Sequence, residues 1–480
     1  MIYDYVVIGS GIIGTMIARE LSRYDVSLLV LEKENDIANH QTTANSAIIH
    51  SGHDPKEGTL KAKLCVLGNS LYNKLEKELD IPLLRTGAFV VAHDQDEEKM
   101  LDQLYQRGLI NGVGEMMLLS GDEARRQEPL LSPSITKVLS LPTTKVTYPW
   151  EVAIAALGNA IKNGATFQRN SEVVSMNYND GVYKIGLKNG LNVQTKNIIN
   201  AAGLWSDHVA LMLEKEFELT IKPRKGEYLV LDRKAKDLFH KVIYPLPTSS
   251  GKGVLIVPQV HGNILLGPTS SPVSDPNKAG TTKDGMTYIK DHLKKLSVHI
   301  PYDMVIRTFA GIRASSTYDD FYIKESSFFP GFYHVAGIDS PGLTAAPAIA
   351  TYLINEIIKL KANQKENFDP YRVKPIPFHH RSDLDKKKMI EENPKYGHLV
   401  CKCEKITEQE IIDAITGPTG NETIKGIKKR ARAGSGLCQG GYCESRVLKI
   451  ISKTTGKSLD EINYYAEHTP ILMKETKKHD

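Results

Sequence analysis

Four of the five cysteines lie close together near the C-terminus, first as Cys401-Lys402-Cys403 and then as Cys438 and Cys443 in "GLCQGGYC". Thiolates are ligands for soft metals, and four of them can hold zinc or a [2Fe–2S] cluster. In a reducing compartment this clustering favours metal ligation over disulfides. Structural zinc sites mostly use pairs separated by two to four residues, and C-x-C is uncommon among them. Cys65 stands alone in "KAKLCVLG" and reads as a small buried hydrophobe.

A second constellation opens the chain, Gly9-Ser10-Gly11-Ile12-Ile13-Gly14. The run Tyr3–Ile8 predicts a buried parallel strand, Ile13, Ile17 and Leu21 recur at helical spacing, and Ser27–Leu31 predicts a second strand ending at Glu32. In such a unit Gly9 permits the tight turn, Gly11 lets a pyrophosphate approach the backbone, and Gly14 lets the helix pack on the strand. The helix N-terminus offers free N–H groups to phosphate, and Glu32 is placed to accept hydrogen bonds from a ribose. The unit fits FAD and NAD equally well.

At 480 residues the chain is long for one domain, and its 41% hydrophobic and 24% charged content is ordinary for a globular protein. A net charge of +5 gives no general argument for nucleic acid, which is not expected as a partner. Most of that charge sits in residues 379–480, where nineteen Lys/Arg face fifteen Asp/Glu. The run Lys425–Arg432 is its densest part; a solvated helix face, compensation of a negative cofactor and docking of an acidic partner are all open readings. No apolar run approaches the ~20 residues needed to span a membrane. The N-terminus shows no secretory signal pattern. A cytoplasmic protein is expected, with peripheral attachment to a membrane left open.

Three further stretches combine a short apolar strand or loop with a Gly/Ser/Pro turn: "NSAIIHSGHDP", "NAAGLWSD" and "GIDSPGLTAAPAI". With "GTLKAKLC", they resemble the flavin-binding segments of the D-amino-acid oxidase-like superfamily, in its glycerol-3-phosphate dehydrogenase/oxidase and L-2-hydroxyglutarate dehydrogenase branch, over about residues 1–360. "VCKCEKITEQEIIDAI" and "IKKRARAGSGLCQGGYCESRV" resemble the bacterioferritin-associated ferredoxin-type [2Fe–2S] domain. That pairing is the arrangement of catalytic subunits of anaerobic glycerol-3-phosphate dehydrogenases.

The resemblance implies an α/β plus α+β fold: a discontinuous FAD domain (1–80, 145–210, 305–360), an antiparallel-sheet substrate cap (81–144, 211–304), a linker (361–395) and a small helical [2Fe–2S] domain (396–480). The β-like runs "TGAFVVAH", "KGEYLVLD", "GVLIVPQV" and "NILLGPT" support the cap independently. Thr407–Glu410 and Ser458–Glu461 read as capping boxes in the tail. Implied FAD contacts are Gly9, Gly11, Ile12, Ile13, Gly14, Glu32, Lys33, Thr42, Thr43, Asn45, Ser46, Ala202, Gly203, Gly337, Ser340, Pro341, Gly342, Leu343 and Thr344. Implied cluster ligands are Cys401, Cys403, Cys438 and Cys443.

Oxidising an alcohol carbon with flavin transfers a hydride and requires a base for the hydroxyl proton, and histidine titrates near neutrality. His50 falls on the position most similar to the superfamily's active-site histidine, with His53 as a second candidate. Arg313 in "FAGIRAS" matches its substrate-binding arginine, whose planar fork suits carboxylate or phosphate. Lys225 and Tyr228 are further substrate-binding candidates; Arg224, Thr269 and Lys61 are weaker ones.

A flavin accepts two electrons and an iron–sulfur cluster passes them on singly, so the expected activity is a dehydrogenase. It would act on a small anionic hydroxylated substrate, sn-glycerol 3-phosphate, and deliver electrons to a partner subunit or quinone-linked chain. The alternatives are an L-2-hydroxyglutarate dehydrogenase, and, in another class, an electron-transfer or iron-handling protein with a non-catalytic flavin.

Overall fold

The computed structural model describes residues 1–247, 253–277, 279–372, 374 and 376–473. Its first unit is the expected one. Strand β1 (Ile2–Ile8) runs into helix α1 (Ile12–Leu21) and then into strand β2 (Leu28–Leu31). Val6, Val7, Leu29 and Val30 are fully buried, as a parallel strand covered on both faces requires.

Around β1 and β2 an eight-stranded sheet assembles from distant parts of the chain. Asn192–Asn200 pairs in parallel with β1, and Thr166–Gln168 pairs in parallel with β2. Asn192–Asn200 changes partner half-way along its other edge. Its first half is antiparallel to Val182–Leu187, and its second half is parallel to Phe332–Ala336. That switch brings the strand preceding the last glycine turn alongside the nucleotide-binding unit. Helices α1, Pro149–Lys162 and Gly342–Tyr352 pack together on one face around Ile17, Leu157 and Ile349.

The cap is a nine-stranded sheet containing Ala88–Ala92, Lys137–Ser140, Arg224–Leu231, Val242–Pro245, Leu255–Pro258 and Ile264–Gly267 among others. Its side chains alternate with period two: Val90 and Leu139 enter one core, Phe89 and Val138 the other. Two details depart from the sequence reading. Val305–Arg313, which falls inside the segment 305–360 expected for the FAD domain, is hydrogen-bonded along Arg224–Leu231 of the cap. In addition, one pair in this otherwise antiparallel sheet, Val242–Pro245 with Ala88–Ala92, is parallel. The chain passes through the first sheet between these two strands, so no short hairpin forces them to run in opposite directions.

The tail is a hairpin, Leu399–Cys401 with Ile406–Thr407, followed by helices Glu408–Thr416, Ile424–Ala431 and Glu444–Thr455 around Ile411, Ile427, Val447 and Ile451. Both capping boxes form. Within the segment expected as a linker, Asp383–Glu392 is a helix with no buried residue, started by a Ser382 cap. Among the described residues no helix is long and apolar enough to cross a membrane.

The basic run is neither a solvated face nor free for an external partner over most of its length. Lys429 Nζ and Arg430 Nη2 lie 2.6 and 2.7 Å from the carboxylate of buried Asp36, just past β2. Asn421 Nδ2 donates to the Asn35 carbonyl at 2.7 Å, and Arg169 Nη1 to the Gly420 carbonyl at the same distance. Arg432 pairs with Glu404 inside the tail. The run therefore docks the C-terminal unit against the nucleotide-binding sheet.

Candidate active site and thiol centre

At the end of β1 the backbone turns through Gly9 at φ +106°, a conformation that disfavours any side chain. A Cβ on Gly14 would lie 2.0 Å from the Gly9 carbonyl oxygen, so the helix sits this close to the turn only because Gly14 has none. Ile12 N–H, at the start of α1, donates to Thr42 Oγ1 at 2.9 Å. Glu32 Oε2 accepts from the Ser10 N–H at 2.8 Å and the Ser10 hydroxyl at 2.7 Å, and Oε1 accepts from Glu34 N–H. A carboxylate has about four acceptor positions, so Glu32 keeps capacity for a ribose hydroxyl.

A cleft of about 1300 Å³ opens from this turn towards the cap. That exceeds the volume of ordinary small-molecule pockets and leaves room for a dinucleotide with a substrate beyond it. Gly9, Gly11, Ile12, Ile13, Glu32, Lys33, Thr42, Asn45, Ser46, Ala202, Gly203, Ser340, Pro341, Gly342 and Leu343 all line it. Four of the expected contacts do not. Gly14 lies behind the turn, where its role is packing. The Thr43 hydroxyl donates to the Ala38 carbonyl and its residue faces a separate cavity. Gly337, at φ +63°, backs onto Ser316 and Leu219. Thr344 is buried, with Oγ1 accepting from the His50 N–H at 2.9 Å.

His50 lines the cleft and His53 does not. His53 is buried, its Nδ1 3.2 Å from Ser51 Oγ. The His50 main chain is fixed on both sides, by Thr344 at its N–H and by Asn69 Nδ2, which donates to its carbonyl at 3.0 Å. Lys145 Nζ in turn donates to Asn69 Oδ1 at 2.7 Å. Burial brings this lysine down to about 8. His50 Nδ1 is 3.0 Å from Tyr244 Oη. Burial holds the Tyr244 phenol far above its ordinary range, so it stays protonated. Sequence reasoning missed Tyr244, Asn69 and Lys145, which sit on elements far apart in the chain and carry no local motif.

Arg224 and Arg313 face each other across paired strands at the cap end of the cleft. Arg224 Nε and Nη2 are each 3.1 Å from Ser270 Oγ, and Arg313 Nη1 is 3.3 Å from the same hydroxyl. Among the described residues neither guanidinium pairs with a carboxylate. Tyr228 and Thr269 also line the cleft, with Tyr228 Oη 3.1 Å from Ser46 Oγ. Lys225 turns away, bonding Glu227 at 2.8 Å and the Gly280 carbonyl, and Lys61 pairs with Asp339 at 3.0 Å. Of the two neighbours it is Arg224, not Lys225, that lines the cleft.

The four tail cysteines come in two pairs. Cys403 Sγ is 3.8 Å from Cys438 Sγ. A hydrogen bond from the Cys443 thiol, with backbone N–H groups of Gly434 and Glu404, brings Cys401 down to about 6 against its burial. Cys443 is held correspondingly high. A Cβ on Gly436 would sit 2.3 Å from the Cys403 Cβ, so only glycine lets these loops meet. Among the described residues no three His, Cys, Asp or Glu side chains converge as they would around one metal ion. Two thiol pairs suit two irons better than a single tetrahedral zinc.

The known proteins that this chain resembles divide it in the same way. Residues 4–356 match the family model for FAD dependent oxidoreductases, and residues 399–453 match that for BFD-like [2Fe-2S] binding domains. A glycerol 3-phosphate dehydrogenase of Caloramator mitchellensis is 41% identical over 477 residues, 99% of each chain. A glycerol 3-phosphate oxidase of Mycoplasma genitalium is 31% identical over 76% of this chain and 97% of its own. Mitochondrial L-2-hydroxyglutarate dehydrogenase of Bos taurus is 30% identical over 74% of this chain and 88% of its own. Among solved structures, L-alpha-glycerophosphate oxidase of Mycoplasma pneumoniae with FAD bound superposes with a TM-score of 0.75 at 30% identity, covering 78% of this chain and all of that one. With the glycine turn, the dinucleotide-sized cleft and the paired thiols on one chain, this protein belongs to the FAD dependent oxidoreductase family and carries a BFD-like [2Fe–2S] domain at its C-terminal end.

Proposed function

We propose that the chain oxidises sn-glycerol 3-phosphate to dihydroxyacetone phosphate and passes the electrons through its cluster to a partner subunit or quinone-linked acceptor. The observation that carries the substrate is the pair Arg224 and Arg313, whose two forks meet at the single hydroxyl of Ser270. Positive charge concentrated at one point suits one dianionic phosphate. L-2-hydroxyglutarate, the second reading, spreads its charge over two carboxylates at opposite ends of a carbon chain. The full-length relative named glycerol 3-phosphate dehydrogenase supports the same reading, and it alone among the three relatives compared covers the thiol domain as well as the cleft.

Bound flavin supplies the hydride acceptor. The chain's own residues do the rest. Gly9, Gly11 and the start of α1 receive the pyrophosphate, and Glu32 the ribose. His50 takes the substrate hydroxyl proton at Nε2, which requires Nδ1 to carry its hydrogen and donate it to Tyr244 Oη. Thr344 and Asn69 hold the His50 backbone against the cleft. Cys401, Cys403, Cys438 and Cys443 are the cluster ligands. The units are taken with the boundaries read from the sequence, except that Val305–Arg313 is counted with the cap because of its pairing with Arg224–Leu231.

Anaerobic mixing of the purified flavoprotein with glycerol 3-phosphate, and separately with L-2-hydroxyglutarate, tests this reading. Bleaching of the flavin by the phosphate ester alone is expected. Bleaching by the hydroxy acid alone transfers the protein to the second reading, and no bleaching by either refutes the substrate class.

A further inference from the structure

A second cavity of about 1270 Å³ lies on the far side of the flavin-binding loop, where the FAD domain, the cap and the thiol domain meet. Nothing in the proposed reaction uses it. The two cavities share a thin wall: Ala44, Asn45 and Ala47 line both. Tyr228, on the cleft side, stacks on Phe309, on the far side, at 4.6 Å and an interplanar angle of 8°. Cys403 also lines the second cavity.

Its walls combine two chemistries. One is aromatic: Tyr148 stacks on Trp150 at 4.5 Å, and Phe309 lines the same cavity. The other is cationic. Lys428 Nζ and Arg307 Nη1 both reach the neutral Gln439 Oε1, at 3.2 and 3.4 Å, with Lys425 beside them. Among the described residues none of these three makes an ion pair with a carboxylate, although sequence neighbours Lys429, Arg430 and Arg432 all do. Burial, reinforced by the Arg307 charge, brings Lys428 down to about 7. Buried charges gathered this way, with no carboxylate in ion-pair contact, are costly and favour something anionic joining them.

The donors point the same way. Among the described residues Arg372 Nη1 and Arg381 Nε are buried without a hydrogen-bond partner, with Glu151 Oε1 3.9 Å from Arg372 Nη1; His379 Nδ1, a donor or an acceptor according to tautomer, is likewise unpartnered, and all three residues line this cavity. Buried donors are almost always satisfied, so guanidinium N–H groups left open at one cavity favour an acceptor-rich occupant.

We propose that this cavity binds a planar aromatic anion, its ring against Trp150 and Phe309 and its acidic group on Arg307 and Lys428. Such a ligand would lie between the flavin cleft and the thiols. The claim goes beyond the proposed substrate and does not depend on it.

The test uses full-length protein loaded with FAD and iron, in the absence of any substrate, with anthraquinone-2-sulfonate as the probe in calorimetric titration. Saturable one-to-one binding is expected. The double substitution Arg307→Gln with Lys428→Gln should weaken it at least tenfold, and Trp150→Leu should weaken it several-fold, with flavin and iron content unchanged in both. Neutral 2-(hydroxymethyl)anthraquinone should lose little affinity in the double variant. Inorganic sulfate should compete only at far higher concentration. Absence of saturable binding, indifference to both variants, or displacement by sulfate at concentrations equal to the probe's would each overturn the proposal.

Discussion

Asp36 and Lys429 are 393 positions apart in the chain, yet their charged groups lie 2.6 Å from each other in the protein interior. Arg430 closes on the second oxygen of the same carboxylate, and Lys429 also donates to the Ile37 carbonyl. This contact ties the thiol domain to the strand–turn–helix unit that receives the flavin, and so sets how the two redox sites face each other.

Replacing Asp36 with Asn should leave Lys429 without its counter-charge in a buried interface. Breaking one side of a buried pair typically costs about 3–5 kcal/mol. The C-terminal unit should become protease-sensitive while the FAD domain keeps its melting temperature. The same contact gives a pH dependence. Burial opposes ionisation of Asp36, but Lys429 and Arg430 overcome it and hold the carboxyl below its ordinary value. Its stabilising effect is therefore complete above the unfolded value of about 3.9 and is lost as pH falls from there through the lower folded value. Proteolysis rates unchanged by the substitution would show that the interface is held by something else.

His50→Gln should slow flavin reduction by about 10²–10⁴, the usual contribution of a positioned base, with FAD still bound. Tyr244→Phe should have a smaller effect in the same direction, because it removes the partner that fixes the His50 tautomer. Stopped-flow reduction at saturating substrate measures both. A normal rate in His50→Gln would remove it from the reaction.

Arg313→Ala and Arg224→Ala should act mainly on binding. A hydrogen bond to a charged group contributes about 1.5–3 kcal/mol, so each substitution should raise the substrate Kd roughly 10- to 100-fold while the limiting reduction rate changes little. Effects of the pair should be non-additive, since both forks address one anion. Simple additivity would place them at different groups of the substrate.

Gly14→Ala should yield protein poor in FAD, because the new Cβ would fall 2.0 Å from the Gly9 carbonyl and push α1 off the phosphate turn. The flavin-to-protein absorbance ratio after purification reads this directly.

Local chemistry made much of this protein legible in its sequence. The Gly9–Gly14 turn and both capping boxes are each confined to a few consecutive residues, and each forms as read. What depends on distant pairing was hidden. Val305–Arg313 looks from its position like part of the FAD segment, and only its ladder with Arg224–Leu231 places it in the cap. That ladder also sets Arg224 opposite Arg313 and turns Lys225 to Glu227, a choice decided by the two-residue alternation of one strand. The tyrosine on His50 comes from a strand nearly two hundred residues downstream. The basic run was visible, but its partner Asp36 was not, because docking of two units leaves no pattern in either one.

Freeze-quenched electron paramagnetic resonance after anaerobic mixing with glycerol 3-phosphate tests the central claim most directly. The flavin should bleach, and the signal of a reduced [2Fe–2S] cluster should follow it in the wild-type protein. In Cys438→Ser the bleaching should persist without that signal. A flavin fully reduced by glycerol 3-phosphate beside a cluster that stays oxidised would contradict the account, because the thiol domain would then take no electrons from the cleft.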